Sequence, residues 1–452
     1  MRAMVQRQLP LFPTNAIDHV HARELQAMSE ILDGIPRIAE LCYGDLTVGG
    51  ADPDNGRAGM TADQVLRALL VKQMNRFSYE ELAFHLADSS TYRAFCRLEV
   101  GDEAPSKSTL QRNVKLLSPQ TLEAVNRLLV GEAQRQKVEV GRQTRVDCTV
   151  TASNIHEPTD SSLLWDCVRV LARETGRAAD LCDFRVVDRS RRAKRRAIGI
   201  LNAGTKEKRL PLYKDLLTVT DKTLRCAEKA VTTLAGWKTD DPLKRASAAH
   251  VGVELDRYIG LARRVVNQTR RRVILGESVP AAEKVVSIFE PHTSIIVKDR
   301  RETLYGHKLC LASGPSGLVT DCVVEDGNPA DVTLAVRMVQ RQTAIFGKAP
   351  RQAAFDGGFA SKANLAAIKS EGVTDVCFSK GRGMTVGEMV KSTWVYRRLK
   401  HFRAGIEAGI SFLKRSFGLD CCTWRTLVSF QAYVWSSVLS ANLLTLARRS
   451  LG

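Results

Sequence analysis

The residues with strand character fall into two blocks far apart in the chain. Residues 144–150 form one short β-prone run; 294–297, 308–312, 318–324, a run ending at Asp356, and 373–378 form the other. Between them, residues 177–284 are helical in texture and strongly basic. The simplest arrangement is a mixed α/β domain interrupted after its first strand by a helical insertion. Residues 60–136 are helical as well. Thr61 can cap a helix carrying Val65, Leu66, Leu69, Leu70 and Met74, Ser78 and Glu81 form a capping-box pattern, and Pro105-Ser106 opens a third helix with Leu110, Val114 and Leu117 on one face. The expected layout is an arm and linker over 1–59, with a Gly/Asp-rich loop at 49–56, and an all-helical domain over 60–140. An α/β domain follows from 141–176 and 285–452, with the basic insertion at 177–284.

Charge narrows the partner. The 452 residues include 67 Lys and Arg against 49 Asp and Glu, a net charge of +18. An excess of this size repels itself and suits a polyanion, either nucleic acid or an acidic membrane. The stretch between Arg425 and Arg448 has no charge and is long enough to cross a bilayer. Ser429, Gln431, Ser436, Ser437, Ser440, Asn442 and Thr445 make it too polar for a lone span. It reads as a buried core helix, and the charge therefore points to nucleic acid. The eleven cysteines contain no C-x-x-C pair, which argues against a disulfide scaffold, a zinc ribbon or an iron–sulfur site. Reduced thiols in a cytoplasmic protein are expected, and the first fifteen residues hold no apolar run of signal-peptide length.

Three acids stand out. Asp147 lies inside the first β-prone run, and Asp356 ends a later one, just before Gly357-Gly358, a turn that allows close approach. A carboxylate in an apolar strand is costly unless a cation or hydrogen bonds meet it; each could also be a simple cap. The third is Glu407, on a helix where Arg403, Glu407 and Lys414 form one polar stripe and Ile406, Ile410, Phe412, Leu413 and Phe417 supply the apolar side. An ordinary Arg–Glu pair on a solvated face would look the same. Gly405 and Gly409 thin this helix where a bulky group could press close. Three carboxylates from two strands and a helix suit two Mg²⁺ ions about 3.5–4 Å apart in phosphodiester chemistry. His85, His156, His307 and His401 have no metal-ligand spacing. Trp394 and Trp424 flank the last acid and read more readily as core than as base-stacking residues.

The chain resembles a DDE transposase of a bacterial insertion sequence, in the branch with a Tyr–Arg–Glu–Lys signature. Arg403, Glu407 and Lys414 match that signature in spacing; Lys400 stands where the tyrosine belongs, with Tyr396 one turn earlier. Val146-Asp147-Cys148-Thr149-Val150 resembles the strand of the first Asp, and Phe355-Asp356-Gly357-Gly358-Phe359 that of the second. Tyr305-Gly306-His307-Lys308-Leu309 and Gly327-Asn328-Pro329-Ala330-Asp331 resemble the middle strands. Phe77-Ser78-Tyr79-Glu80-Glu81-Leu82 and Pro105-Ser106-Lys107-Ser108-Thr109-Leu110 resemble the family's N-terminal domain, and the subgroup it most resembles is the loosely classified ISNCY group.

The resemblance implies an RNase H-like catalytic domain with Asp147, Asp356 and Glu407 as catalytic and metal-binding triad. It implies two Mg²⁺ ions, for which Mn²⁺ could substitute. The implied activity is cleavage at terminal inverted repeats and joining of the 3′-hydroxyl ends to target DNA. Partners would be double-stranded DNA and a second copy of the chain, in the cytoplasm at the nucleoid. A catalytically inactive DNA-binding descendant and a stand-alone metal nuclease are the alternatives. Asp356 comes 209 residues after Asp147, and Glu407 51 residues after Asp356, which places the insertion after the first strand. Arg403 and Lys414 are candidates for phosphate contact, with orienting Glu407 as the alternative role for Arg403. Arg191, Arg192, Lys194, Arg195 and Arg196 of the insertion are candidates for DNA-backbone contact, and Lys107 and Arg112, with Gln111, for a groove contact, unless residues 60–140 serve packing or dimerisation.

Overall fold

The computed structural model describes residues 4, 19–48, 59–99, 101–182, 184–298 and 302–452. The loop expected at 49–56 and most of the N-terminal stretch read for a signal sequence lie outside these residues. The chain divides into two compact units, Met1–Ala152 with His307–Gly452, and Ser153–Gly306.

The strands are β1 (Gln143–Ser153), β2 (Ser294–Lys298), β3 (Glu302–Ser313), β4 (Val319–Val324), β5 (Gln352–Phe355), β6 (Asp375–Phe378) and β7 (Cys421–Cys422). In the first unit the sheet runs β4-β3-β1-β5-β6, with β7 beside β1. The β-branched residues of β1 suit an extended strand. β5 lies parallel to β1 with Val146 opposite Phe355, so Asp147 and Asp356 leave neighbouring strands at the same level. β6 continues parallel to β5, and β4 is antiparallel to β3. The short strands β5 and β6 are wholly buried, as a parallel strand covered on both faces should be. Val146, Phe355 and Phe378 share a core with Met338 and Leu399 from flanking helices.

The helix that carries Glu407 runs Thr393–Phe417. It begins at Thr393 because the Ser392 side chain accepts from the Val395 amide. It stops where Gly418 turns left-handed at φ 70°.

A second core of this unit joins the helices Ala62–Asn75, Tyr79–Asp88, Lys107–Val114 and Pro119–Arg135 to the helix Leu427–Ser450. The expected caps are present: Thr61 accepts from Gln64, Ser78 from Glu81, and Ser106 from Thr109. Leu427–Ser450 is long and apolar enough to cross a membrane by length and composition, but most of it is buried in this core. Its polar residues explain why: Asn442 bonds Asn126 and both backbone groups of Val319, and Ser437 donates to the Phe417 carbonyl. Two further helices, Val20–Asp33 and Arg37–Thr47, enter the same core through Leu25, Met28, Leu32, Ile38 and Cys42, within the stretch read as an arm.

In the second unit the helices Asp160–Leu181, Ser190–Asn202, Lys206–Gly236 and Pro242–Thr269 share one core, with Leu164, Leu171, Leu216 and Leu255 at its centre. The Thr159 side chain caps the first of these, accepting from the Ser162 amide. β2 pairs antiparallel with the opening of β3, from Ser294 opposite Gly306 to Lys298 opposite Glu302.

Candidate active site

Asp147, Asp356 and Glu407 converge on one guanidinium. Arg403 lies 3.7 Å from Asp147, 3.6 Å from Asp356 and 2.7 Å from Glu407. Its side chain is only 16% exposed. Arg403 is therefore tucked into the acid cluster, while Glu407, its i,i+4 partner, stays 61% exposed. Its Nε is buried with no hydrogen-bond partner. One cation meets three acids brought by two strands and a helix.

The neighbouring acids are set differently. Burial pushes the Asp147 carboxyl up to about 6, and the Asp356 and Asp331 carboxylates push the same way, against the Cys148 amide and Arg403. Partial burial also works to raise Asp356. The Ser379 hydroxyl, the Gly357 and Gly358 amides and Arg403 outweigh it and hold Asp356 below its usual range. Ser379 Oγ donates to Asp356 Oδ1 at 2.8 Å. Neighbouring carboxyls pushed apart in this way are a mark of acid–base or metal chemistry.

Several side chains that the sequence did not single out hold this geometry. Arg145, two residues before Asp147, donates from Nε to Ser313 Oγ at 2.8 Å and from Nη1 to the Phe402 carbonyl at 2.9 Å. A Cβ on Gly405 would fall 2.0 Å from that Nη1. The thin place expected at Gly405 is thus filled by an arginine that ties β1 to the Glu407 helix. Among the described residues, a Cβ on Gly409 would meet nothing beyond its own helix within 4 Å. Tyr396 donates its hydroxyl to the carbonyls of Phe378 and Ser379, at 3.1 and 3.4 Å. It therefore stands behind Ser379, while Lys400, at the signature position, is exposed. The Gly357-Gly358 turn is not open. Lys380 lies against Gly357 and Asp331 against Gly358.

The remaining candidates lie apart from this cluster. Lys414 is half-buried two turns beyond Glu407. Lys107 opens its helix and pairs with Glu80 at 2.9 Å; Arg112 is exposed on the same helix. In the second unit Arg192 and Arg196 both pair with Asp215, Lys194 stands 5.8 Å over the Trp165 ring, and Arg191 and Arg195 are exposed. Trp424 packs edge-on against Tyr433, as a core residue should. Trp394 does not: it is 66% exposed, with the Arg398 guanidinium 5.0 Å from its ring centre.

The donor set suits a hard cation, since every group is a carboxylate oxygen. Among the described residues no three of His, Cys, Asp and Glu stand close enough to ligate one ion. The three acids gather instead around Arg403, which supplies positive charge at their centre.

Two family models match the chain. A transposase DDE domain matches residues 290–443, which include Asp356, Arg403, Glu407 and Lys414. A transposase domain (DUF772) matches residues 15–116, taking in the two helices that the sequence reading left in an arm. No curated protein and no solved structure matches. Taken with an Asp–Asp–Glu cluster built from two neighbouring strands and a helix, the two matches identify the chain as a member of the DDE transposases of insertion sequences.

Proposed function

We propose that this transposase cuts DNA at the terminal inverted repeats of its element and joins the freed 3′-hydroxyl ends to target DNA. The observation that carries the reading is the convergence of Asp147, Asp356 and Glu407 on Arg403. The strand order β4-β3-β1-β5-β6 favours an RNase H-like catalytic domain. Both steps are in-line displacements at phosphorus without a covalent enzyme intermediate. Asp147, Asp356 and Glu407 would hold Mg²⁺, or Mn²⁺ in its place. Bound as a pair, the ions would activate the attacking water or 3′-hydroxyl and stabilise the leaving oxygen.

The chain's own groups have distinct parts. Ser379 and the Gly357 and Gly358 amides keep Asp356 ionised. Arg145 fixes the Asp147 strand against the Glu407 helix. Arg403 balances the acids before loading; with the acids engaged elsewhere, its planar fork is free to grip the scissile phosphate. Lys414 would contact the DNA end on the same helix. Arg191, Arg192, Lys194, Arg195 and Arg196 would line the DNA backbone from the basic insertion, and Lys107 and Arg112 would enter a groove. Cutting two ends together calls for a dimer on DNA, in the cytoplasm at the nucleoid.

The test is a substitution series on the three acids. Asp147→Asn, Asp356→Asn and Glu407→Gln should each abolish cleavage while binding DNA like the wild type. A variant that cuts at the wild-type rate removes its residue from the triad. Discrete cuts without joined products would turn the reading to a stand-alone nuclease.

A further inference from the structure

Two of the segments that carry the family resemblance, residues 305–309 and 327–331, have no part in the chemistry above, yet they meet beside it. The Lys308 side chain is 11% exposed, and its ammonium forms an ion pair with Asp331. The same ammonium donates to the Pro329 carbonyl at 2.7 Å. Asp331 Oδ1 is buried and accepts no hydrogen bond, so the lysine charge is what meets it. Asp331 Oδ2 faces the turn after Asp356: a Cβ on Gly358 would come within 2.6 Å of it. Lys308 stands on β3, the neighbour of the strand that carries Asp147. A line of contacts therefore runs from β3 through Lys308 and Asp331 to Gly358, two residues from Asp356.

Stability is a poor reason for this pair. Bringing two charges out of water costs about as much as their attraction returns, and an apolar pair of the same volume often does as well. Position is a better reason. Asp331 adds a fourth carboxylate to a site that already gathers three. Alone it would be repelled by Asp147 and Asp356; paired with Lys308 it can press against the Gly358 turn. We propose that Lys308 is a positioning residue of the active site, holding Asp331 against the Gly357-Gly358 turn and so setting where Asp356 stands relative to Asp147. A displacement of about 1 Å among reacting groups can cost on the order of a hundredfold in rate, so such a bracket has a large effect without touching substrate. The inference rests on Asp147, Asp356 and Glu407 being the acid triad.

The test uses the full chain and Mn²⁺ alone, titrated by calorimetry, with cleavage and DNA binding measured in parallel. Lys308→Met, Asp331→Ala and Gly358→Ala should each weaken Mn²⁺ binding roughly tenfold, the usual effect of losing an outer-shell partner. Each should slow cleavage and leave DNA binding unchanged. The losses should not multiply. Gly358→Ala should have less than about a twofold further effect in the Asp331→Ala background, because the carboxylate it strikes is gone. Wild-type Mn²⁺ affinity in Lys308→Met or Gly358→Ala, or losses that multiply, would overturn the proposal. If Lys308→Met does not fold, the Gly358 and Asp331 variants decide alone. A wild-type chain that binds Mn²⁺ but never cuts DNA would sink the transposition reading, while the Mn²⁺ affinities would still test the bracket.

Discussion

The two units of this chain use charge in opposite ways. In the first, partly buried cations are fixed by several contacts each. Arg403 is shared by three carboxylates, Arg145 bonds Ser313 and the Phe402 carbonyl, and Lys308 bonds Asp331 and the Pro329 carbonyl. In the second, the basic run on Ser190–Asn202 lies largely on the surface, with Arg191, Arg192, Lys194 and Arg195 exposed. Fixed, partly buried charges suit chemistry that needs definite distances. Exposed cations suit a phosphate backbone, where each contact adds affinity but little sequence information. Changes in the first unit should therefore act all or none, and changes in the second by degrees.

The largest effects belong to the acids. Replacing any of Asp147, Asp356 or Glu407 by its amide should lower cleavage by at least about a thousandfold, on the scale of losing an essential catalytic group. Product mapping on end-containing DNA measures it, and a loss below tenfold at any one acid would break the contrast there.

Next come the two helix glycines, which look alike in sequence. Gly405→Ala drives a methyl into Arg145, so it should destabilise the chain by about 1–3 kcal/mol and slow cleavage about a hundredfold. Gly409→Ala meets nothing and should stabilise by up to about 1 kcal/mol through helix propensity. Denaturant melts of the two variants separate them. Equal effects would mean that Arg145 does not lock the helix.

Asp147 gives a stability effect of similar size with a definite sign. Its carboxyl titrates at about 6 in the folded chain against 3.8 as the ordinary value, so the folded state holds the proton more tightly. Its contribution is therefore most favourable at low pH and is lost as pH rises from about 4 to 6. Asp147→Asn should stabilise the metal-free chain by about 3 kcal/mol at pH 8, with the gain gone by about pH 4. A gain that is flat with pH, or a loss at pH 8, would contradict this assignment of the charge.

The smallest effect lies in the second unit. Arg192 and Arg196 already pair with Asp215, so Arg191 and Arg195 should carry more of the DNA contact. Arg191→Gln with Arg195→Gln should reduce the salt slope of DNA binding by about 2, and Arg192→Gln with Arg196→Gln by less. Equal slopes for the two pairs would mean that the Asp215 pairing opens on DNA. No change with either would assign this helix another role.

What the sequence made legible was local. The caps at Thr61, Ser78 and Ser106 depend on residues three apart, and the Arg403–Glu407 stripe on one helix face. Gly405 stood out because a missing side chain leaves a gap. What it hid depends on neighbours distant in the chain. Nothing near Lys308 announces Asp331, because β3 and the loop after β4 meet only in the folded sheet. Tyr396 looked like a displaced signature residue until its hydroxyl was seen behind Ser379. The helices Val20–Asp33 and Arg37–Thr47 carry apolar residues at helical spacing, but the Gly/Asp-rich stretch after them drew the reading toward a linker. Most of Asp160–Leu181 lies in the stretch assigned to the α/β domain, 141–176, and its apolar side is buried among the other helices of the second unit.

The most direct test of the central claim is a reaction on supercoiled plasmid carrying this gene with its native flanks. Mg²⁺ is supplied, wild type is compared with Asp356→Asn, and product ends are mapped. The account predicts cuts at discrete flanking positions and joined 3′ ends, with wild type alone. No cutting by the wild type, while it still binds the flanking DNA specifically, would contradict it.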